Sequence, residues 1–63
     1  MVLRLHLAED NSVIIIDSND CLTFRATKDN TTRIRFKDYN FDTVIVNESA
    51  DKIYNMLTKQ QSE

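Results

Sequence analysis

Sixty-three residues, 41% hydrophobic and 29% charged, make one domain and leave no room for a second. One cysteine and one histidine, with no ligand spacing between them, exclude an internal disulfide and a zinc site. Glycine and proline are both absent, which excludes a glycine-rich phosphate loop, and a formal charge of −2 lacks the basic balance of a dedicated nucleic-acid binder.

Residues 2–7 alternate, with Leu3, Leu5 and Leu7 on one face and Val2, Arg4 and His6 on the other, the pattern of a half-buried strand. Glu9-Asp10-Asn11-Ser12 turns the chain. Residues 13–16 are apolar on both faces, as in a strand covered by a helix or by a second subunit. Asp17-Ser18-Asn19-Asp20 is the next turn. Leu22, Phe24 and Ala26 then alternate with Cys21, Thr23, Arg25 and Thr27. After Lys28-Asp29-Asn30-Thr31, Ile34 and Phe36 oppose Arg33, Arg35 and Lys37. A loop, Asp38-Tyr39-Asn40-Phe41-Asp42, carries two aromatics and leads to a short strand over residues 43–46.

At Ile45-Val46-Asn47-Glu48-Ser49 the period changes. Ala50, Ile53, Tyr54 and Leu57 recur at helical spacing, which predicts a helix over about 49–59 followed by a polar tail, 60–63. Asn47 or Ser49 can cap it, and Glu48 or Asp51 then meets the positive helix end. Residues 1–63 thus read as a single α+β domain: an antiparallel meander of four to five strands within 2–46, with one C-terminal helix packed on a face. The expected core is Leu3, Leu5, Leu7, Ile14, Ile16, Leu22, Phe24, Ala26, Ile34, Phe36, Val44, Val46, Ile53 and Leu57. Val2, Val13, Ile15, Ile45 and Met56 find no place in it. A domain of this size buries only about 60% of its unfolded surface and gains from a partner subunit. Val13, Ile15, Val2 and Ile45 are therefore the predicted self-association residues of a homo-oligomer.

Charge is segregated along the chain. Arg25, Lys28, Arg33, Arg35 and Lys37 with Asp29 give residues 25–37 a net +4, against −6 for the rest. A hairpin that shares one core face between Phe24, Ala26, Ile34 and Phe36 predicts Ala26 opposite Ile34 and Phe24 opposite Phe36. That register sets Arg25 across from Arg35 and Thr27 across from Arg33. Like charges directly opposed are destabilising and call for an anionic neighbour. Arg25, Arg33, Arg35 and Lys37, with the loop aromatics Tyr39 and Phe41, are the candidate site for a protein partner. The bland reading of the same residues is a solvated strand face and an aromatic lid on the core.

Catalysis finds no support. The acids fall in turns rather than in a pair, Cys21 follows no helix N-terminus, and His6 lacks a second ligand, so it reads as a surface residue. No cofactor and no metal are implied. The longest apolar run, residues 13–16, is far below the ~20 residues of a membrane span. The lone cysteine and the lack of a leader pattern fit a cytoplasmic location.

The layout resembles the FlbD-like small proteins of flagellar and swarming-motility operons. The resemblance rests on the initial strand Val2-Leu3-Arg4-Leu5, the paired alternating strands, the junction Val46-Asn47-Glu48-Ser49, and Asp51, Ile53 and Leu57 in the helix. That resemblance implies the fold but transfers no activity and no functional residues. The length, the valine-rich last strand and the Ile53-Tyr54 pair are also similar to the carbon-storage-regulator family. This second resemblance implies an intertwined dimer that binds single-stranded RNA, with Arg4 near the matching first-strand position. Asn47 and Glu48 stand where that family carries bases. The leading expectation is a non-enzymatic, self-associating regulatory module of mobile-element origin that binds a protein partner. An RNA-binding regulator using the same arginines is the alternative.

Overall fold

The computed structural model describes residues 1–61, with side chains to residue 59. Five strands come first and one helix last: β1 (Val2–His6), β2 (Val13–Asp17), a 3-10 turn (Ser18–Asp20), β3 (Cys21–Ala26), β4 (Thr32–Phe36), β5 (Val44–Val46) and α1 (Ala50–Gln61). This is the expected α+β architecture. The helix runs two residues past the predicted end, and the last residues of the expected tail, 62–63, lie outside the described residues.

The strands form two antiparallel sheets, β1-β2 and β3-β4-β5. The break falls between β2 and β3, which are consecutive but not paired. The two sheets meet on the other side. Leu7 bridges Val46, Ala8 N–H donates to the Ile45 carbonyl (2.8 Å), and Asn47 N–H donates to the His6 carbonyl (2.7 Å). The meander is thus rolled so that the end of its first strand touches the end of its last, leaving β2 and β3 as free edges.

Turns without glycine are built by side chains. Asn11 and Asn30 take the left-handed conformation (φ 63° and 65°), which asparagine tolerates better than most residues. Asp10 accepts from the Ser12 amide (3.0 Å) and hydroxyl (2.6 Å), and Asp17 accepts from the Asn19 amide (2.9 Å). These bonds hold both carboxyls below their ordinary values. The acids of these turns therefore do structural work as anions.

Leu3, Leu5, Cys21, Ile34, Val46 and Ile53 form the buried centre, with Ile14, Ile16, Phe24, Phe36, Val44, Met56 and Leu57 packed partly around it. Three residues of the predicted core fall elsewhere. Leu22 is 55% exposed and Ala26 is exposed, while Leu7 is half-buried at the β1–β5 contact. The cause at Leu22 is a β-bulge. The β3–β4 register slips between Cys21 and Thr23, so Cys21 turns inward and Leu22 outward. Ala26 is the last residue of β3, opposite Thr32 at the hairpin end. Met56 corrects the opposite expectation, because it packs against the core rather than lacking a home.

The β3–β4 register is itself shifted from the predicted one. Phe24 pairs with Ile34, Arg25 with Arg33, Ala26 with Thr32 and Thr23 with Arg35. A two-residue shift keeps every side chain on its face, so alternation alone could not distinguish the two registers. The turn decides between them. Thr27 N–H donates to the Thr31 carbonyl (3.0 Å) and the two hydroxyls share a 2.6 Å bond. This closes a three-residue loop with Asn30 in its left-handed position.

Ser49 caps α1, its hydroxyl accepting from the Lys52 amide at 3.1 Å, with Asp51 in the first turn. Asn47 instead donates to the Leu7 carbonyl (3.4 Å) and to the Asn11 side chain (2.9 Å), tying the β1–β2 turn to the helix start. The helix packs against β3 through a single stripe led by Ile53. None of the described helices is long and apolar enough to cross a membrane.

Candidate functional site

The outer face of β3-β4-β5 carries the arginines. Arg25 and Arg33 are directly opposed, Ile45 follows on β5, and Arg35 lies one row along, opposite Thr23. Like charges therefore do face one another, although Arg33 rather than Arg35 is the partner of Arg25. Thr23, Arg25, Arg33, Arg35 and Thr43 line a concavity of about 340 Å³. All five are exposed. Among the described residues, no carboxylate lies within ion-pair distance of any of the three guanidiniums. The arrangement offers forked N–H donors and threonine hydroxyls to an oxyanion, and nothing within it competes for them.

The aromatics of the predicted site lie elsewhere. Phe41 stacks edge-on against Phe36 (centroids 5.9 Å apart), whose side chain leaves β4 on the face opposite Arg35. Phe41 belongs to a second groove of about 410 Å³ beside β2, lined also by Ile14, Ile15, Ile16, Phe36 and Val44 and by the acids Asp17, Asp20 and Asp42. Tyr39 is fully exposed at the loop tip. Lys37 follows the end of β4, its amide donating to the Asp20 carbonyl at 3.0 Å. The structure brings Arg25, Arg33 and Arg35 together and leaves Lys37, Tyr39 and Phe41 outside their concavity.

Val2, Val13 and Ile15 lie on the outer face of β1-β2, all strongly exposed, and Ile45 lies on the other sheet next to Arg33.

A polar pair was not anticipated. Glu48, only 8% exposed, accepts from the His6 ring nitrogen Nδ1 (2.8 Å) and from the His6 amide (3.0 Å). Its own carbonyl accepts from the buried Thr32 hydroxyl at 2.8 Å. Burial works against the charge on Glu48, but the bonds from the His6 side chain and backbone outweigh it and hold the carboxyl below its ordinary value. One signal was available in the sequence: Val44, Val46 and Glu48 share a parity, so the carboxylate lies on the inward row of β5. With both oxygens engaged locally, the pair pins β1 to the helix start. Cys21 is buried, and burial first, then nearby Asp20 and Asp17, push its thiol up, so it stays protonated in the core. Among the described residues no group of three or more metal-binding side chains comes together.

Comparison with protein-family models, with curated proteins and with solved structures finds no match to this chain.

Proposed function

We propose that this chain is a small self-associating interaction module that binds an acidic, extended segment of a protein partner on the arginine face. The observation that supports it is the cluster of Arg25, Arg33 and Arg35 in one concavity with Thr23 and Thr43, with no carboxylate within ion-pair distance of them among the described residues. Opposed arginines cost stability on an isolated sheet, and a bound anion removes that cost. Arg33 and Arg35 are two residues apart on β4, so their Cα atoms are separated by about 7 Å. Alternate side chains of an extended acidic peptide have the same spacing. The net charge of −2 opposes any polyanion, and opposes a long nucleic acid more than a short acidic segment confined to the arginine face.

The test is a titration by fluorescence anisotropy with two probes, a peptide of alternating glutamates and a single-stranded RNA oligonucleotide. The expected result is saturable peptide binding, weakened at least tenfold by Arg33→Glu and Arg35→Glu together. Tighter binding of RNA, falling steeply with salt, would put the regulator reading first. Binding of neither probe would reduce the stripe to a solvated face.

A further inference from the structure

We infer that two copies of this chain join edge to edge through β2, in antiparallel register about Ile15, which specifies the contact in the self-association that the proposed function includes. Leu7 N–H donates to the Ser12 carbonyl and Ser18 N–H to the Met1 carbonyl, which fixes the phase of the β1–β2 ladder. Given the pairing of Leu5 with Ile14 and Leu3 with Ile16, the backbone groups of Ile14 and Ile16 face β1. Those of Val13 and Ile15 therefore point away from β1 along the free edge. An unpaired row of this kind is a template for another strand.

Over its first four residues the edge lacks the devices that keep such strands apart; the nearby charges are Asp17 at its end and Asp20 and Asp42 across the groove. Between Val13 and Ile16 there is no charge, no proline and no bulge, and Ile15 is 65% exposed. The other free edge, β3, has a bulge, carries Arg25 and packs against α1. A β2-to-β3 contact would also be head-to-tail and would propagate into filaments, whereas β2 against β2 closes on a two-fold axis.

The central residues of β2, Ile14 to Ile16, match their own reversed order. With Ile15 opposite Ile15, Ile14 falls opposite Ile16 on the inner face and Val13 opposite Asp17 on the outer one. The Ile15 backbone groups then bond one another, in phase with the ladder to β1. Ile14 and Ile16, half-buried in one copy, gain an apolar neighbour beside the groove they share with Phe36 and Phe41. The Asp17 carboxylate sits 3.3 Å from the Met1 amino group, which limits repulsion between copies. The occupant of this edge is therefore a second copy.

Solution mass by light scattering across a dilution series tests the contact, using wild type, Ile15→Lys and Val2→Lys. The expected result is two chains for wild type and Val2→Lys, and one folded chain for Ile15→Lys that still binds the glutamate peptide. A wild type of one chain at every concentration, or an Ile15→Lys protein still of two chains, overturns the inference. Loss of the dimer in Val2→Lys as well would assign the contact to the outer face instead. A second reading does not depend on stability. In a Cys21→Ser background, Ile15→Cys is expected to form an intermolecular disulfide on mild oxidation, because directly opposed residues of this type lie about 5.5 Å apart. Val13→Cys, opposite Asp17, is expected not to, and the reverse pattern would overturn the register. Retained peptide binding in the monomeric variant separates failure of this contact from failure of the arginine face.

Discussion

β2 and β3 are both edge strands, separated by a single 3-10 turn, Ser18–Asp20, yet they treat their free edges in opposite ways. β3 is interrupted by a bulge, charged at Arg25 and backed by the helix. β2 is apolar from Val13 to Ile16, carries its one charge at its last residue, Asp17, and leaves Ile15 open to solvent. The two strands share solvent, size of domain and proximity to the core, so none of these explains the difference. What separates them is protection against further pairing, present on one side and missing on the other. In a chain that spends 29% of its residues on charge, the uncharged stretch of residues 13–16 at an edge is the feature on which the proposed contact between copies rests.

Three substitutions sharpen that contrast. The largest effect is expected from Ile53→Ala, which loosens the helix from β3. Ile53 is almost fully buried, and such truncations cost about 2–5 kcal/mol, a large share of the stability of a domain this small. Urea denaturation should show the loss, and an unchanged midpoint would mean that the helix does not protect β3.

Next comes the clamp on the opposite side of the roll. Glu48→Gln removes the charge from hydrogen bonds to a carboxylate, and about 1.5–3 kcal/mol should disappear with it. The pH dependence has a definite sign. Glu48 has a folded-state value held below its ordinary 4.5, so its contribution is complete above that pH and is lost as the pH falls through the lowered value. Wild type should weaken on acidification below about pH 4.5, and Glu48→Gln should show a shallower decline over the same range. Parallel curves for the two proteins would show that Glu48 carries no such linkage.

The smallest effect is expected at the bulge. Leu22→Lys should change stability by no more than about 0.5 kcal/mol and leave the assembly state untouched, because Leu22 points to solvent. A loss of several kcal/mol in thermal or urea unfolding would place Leu22 back in the core and remove the bulge from the account of β3.

Leu22 also shows where the sequence stops being legible. Alternation over residues 2–46 and the change of period near Ser49 are enough to find the strands, the helix and the inward row Leu3, Leu5, Ile34, Val46 and Ile53. They cannot place a bulge, because one extra residue in β3 leaves the residue types unchanged while exchanging Cys21 for Leu22. They cannot choose between registers two residues apart either; the threonine pair of the β3–β4 turn does that. The arginine face was visible as a charge run, and Arg25, Arg33 and Arg35 do gather. Tyr39 and Phe41 seemed close in sequence to that run, but strand alternation sends Phe36, and with it Phe41, to the other side. His6 and Glu48 are 42 residues apart, and only the rolled topology brings them together.

The contact between the first and last strands sets an order of events during synthesis. Leu3 and Leu5 emerge from the ribosome early, but Val46 and Ile53, with which they share the buried centre, follow some forty residues later. Until then the N-terminal hairpin lacks the last strand and the helix that complete its core, and a hairpin alone is at best marginal in water. Folding of this domain therefore waits for the strand and helix at 44–61, with loop closure over more than forty residues preceding the burial that rewards it. A nascent chain halted before the helix would hold both free edges and the apolar faces of β1 and β2 open at once, the condition under which quality control, rather than a partner, is the first protein to bind it.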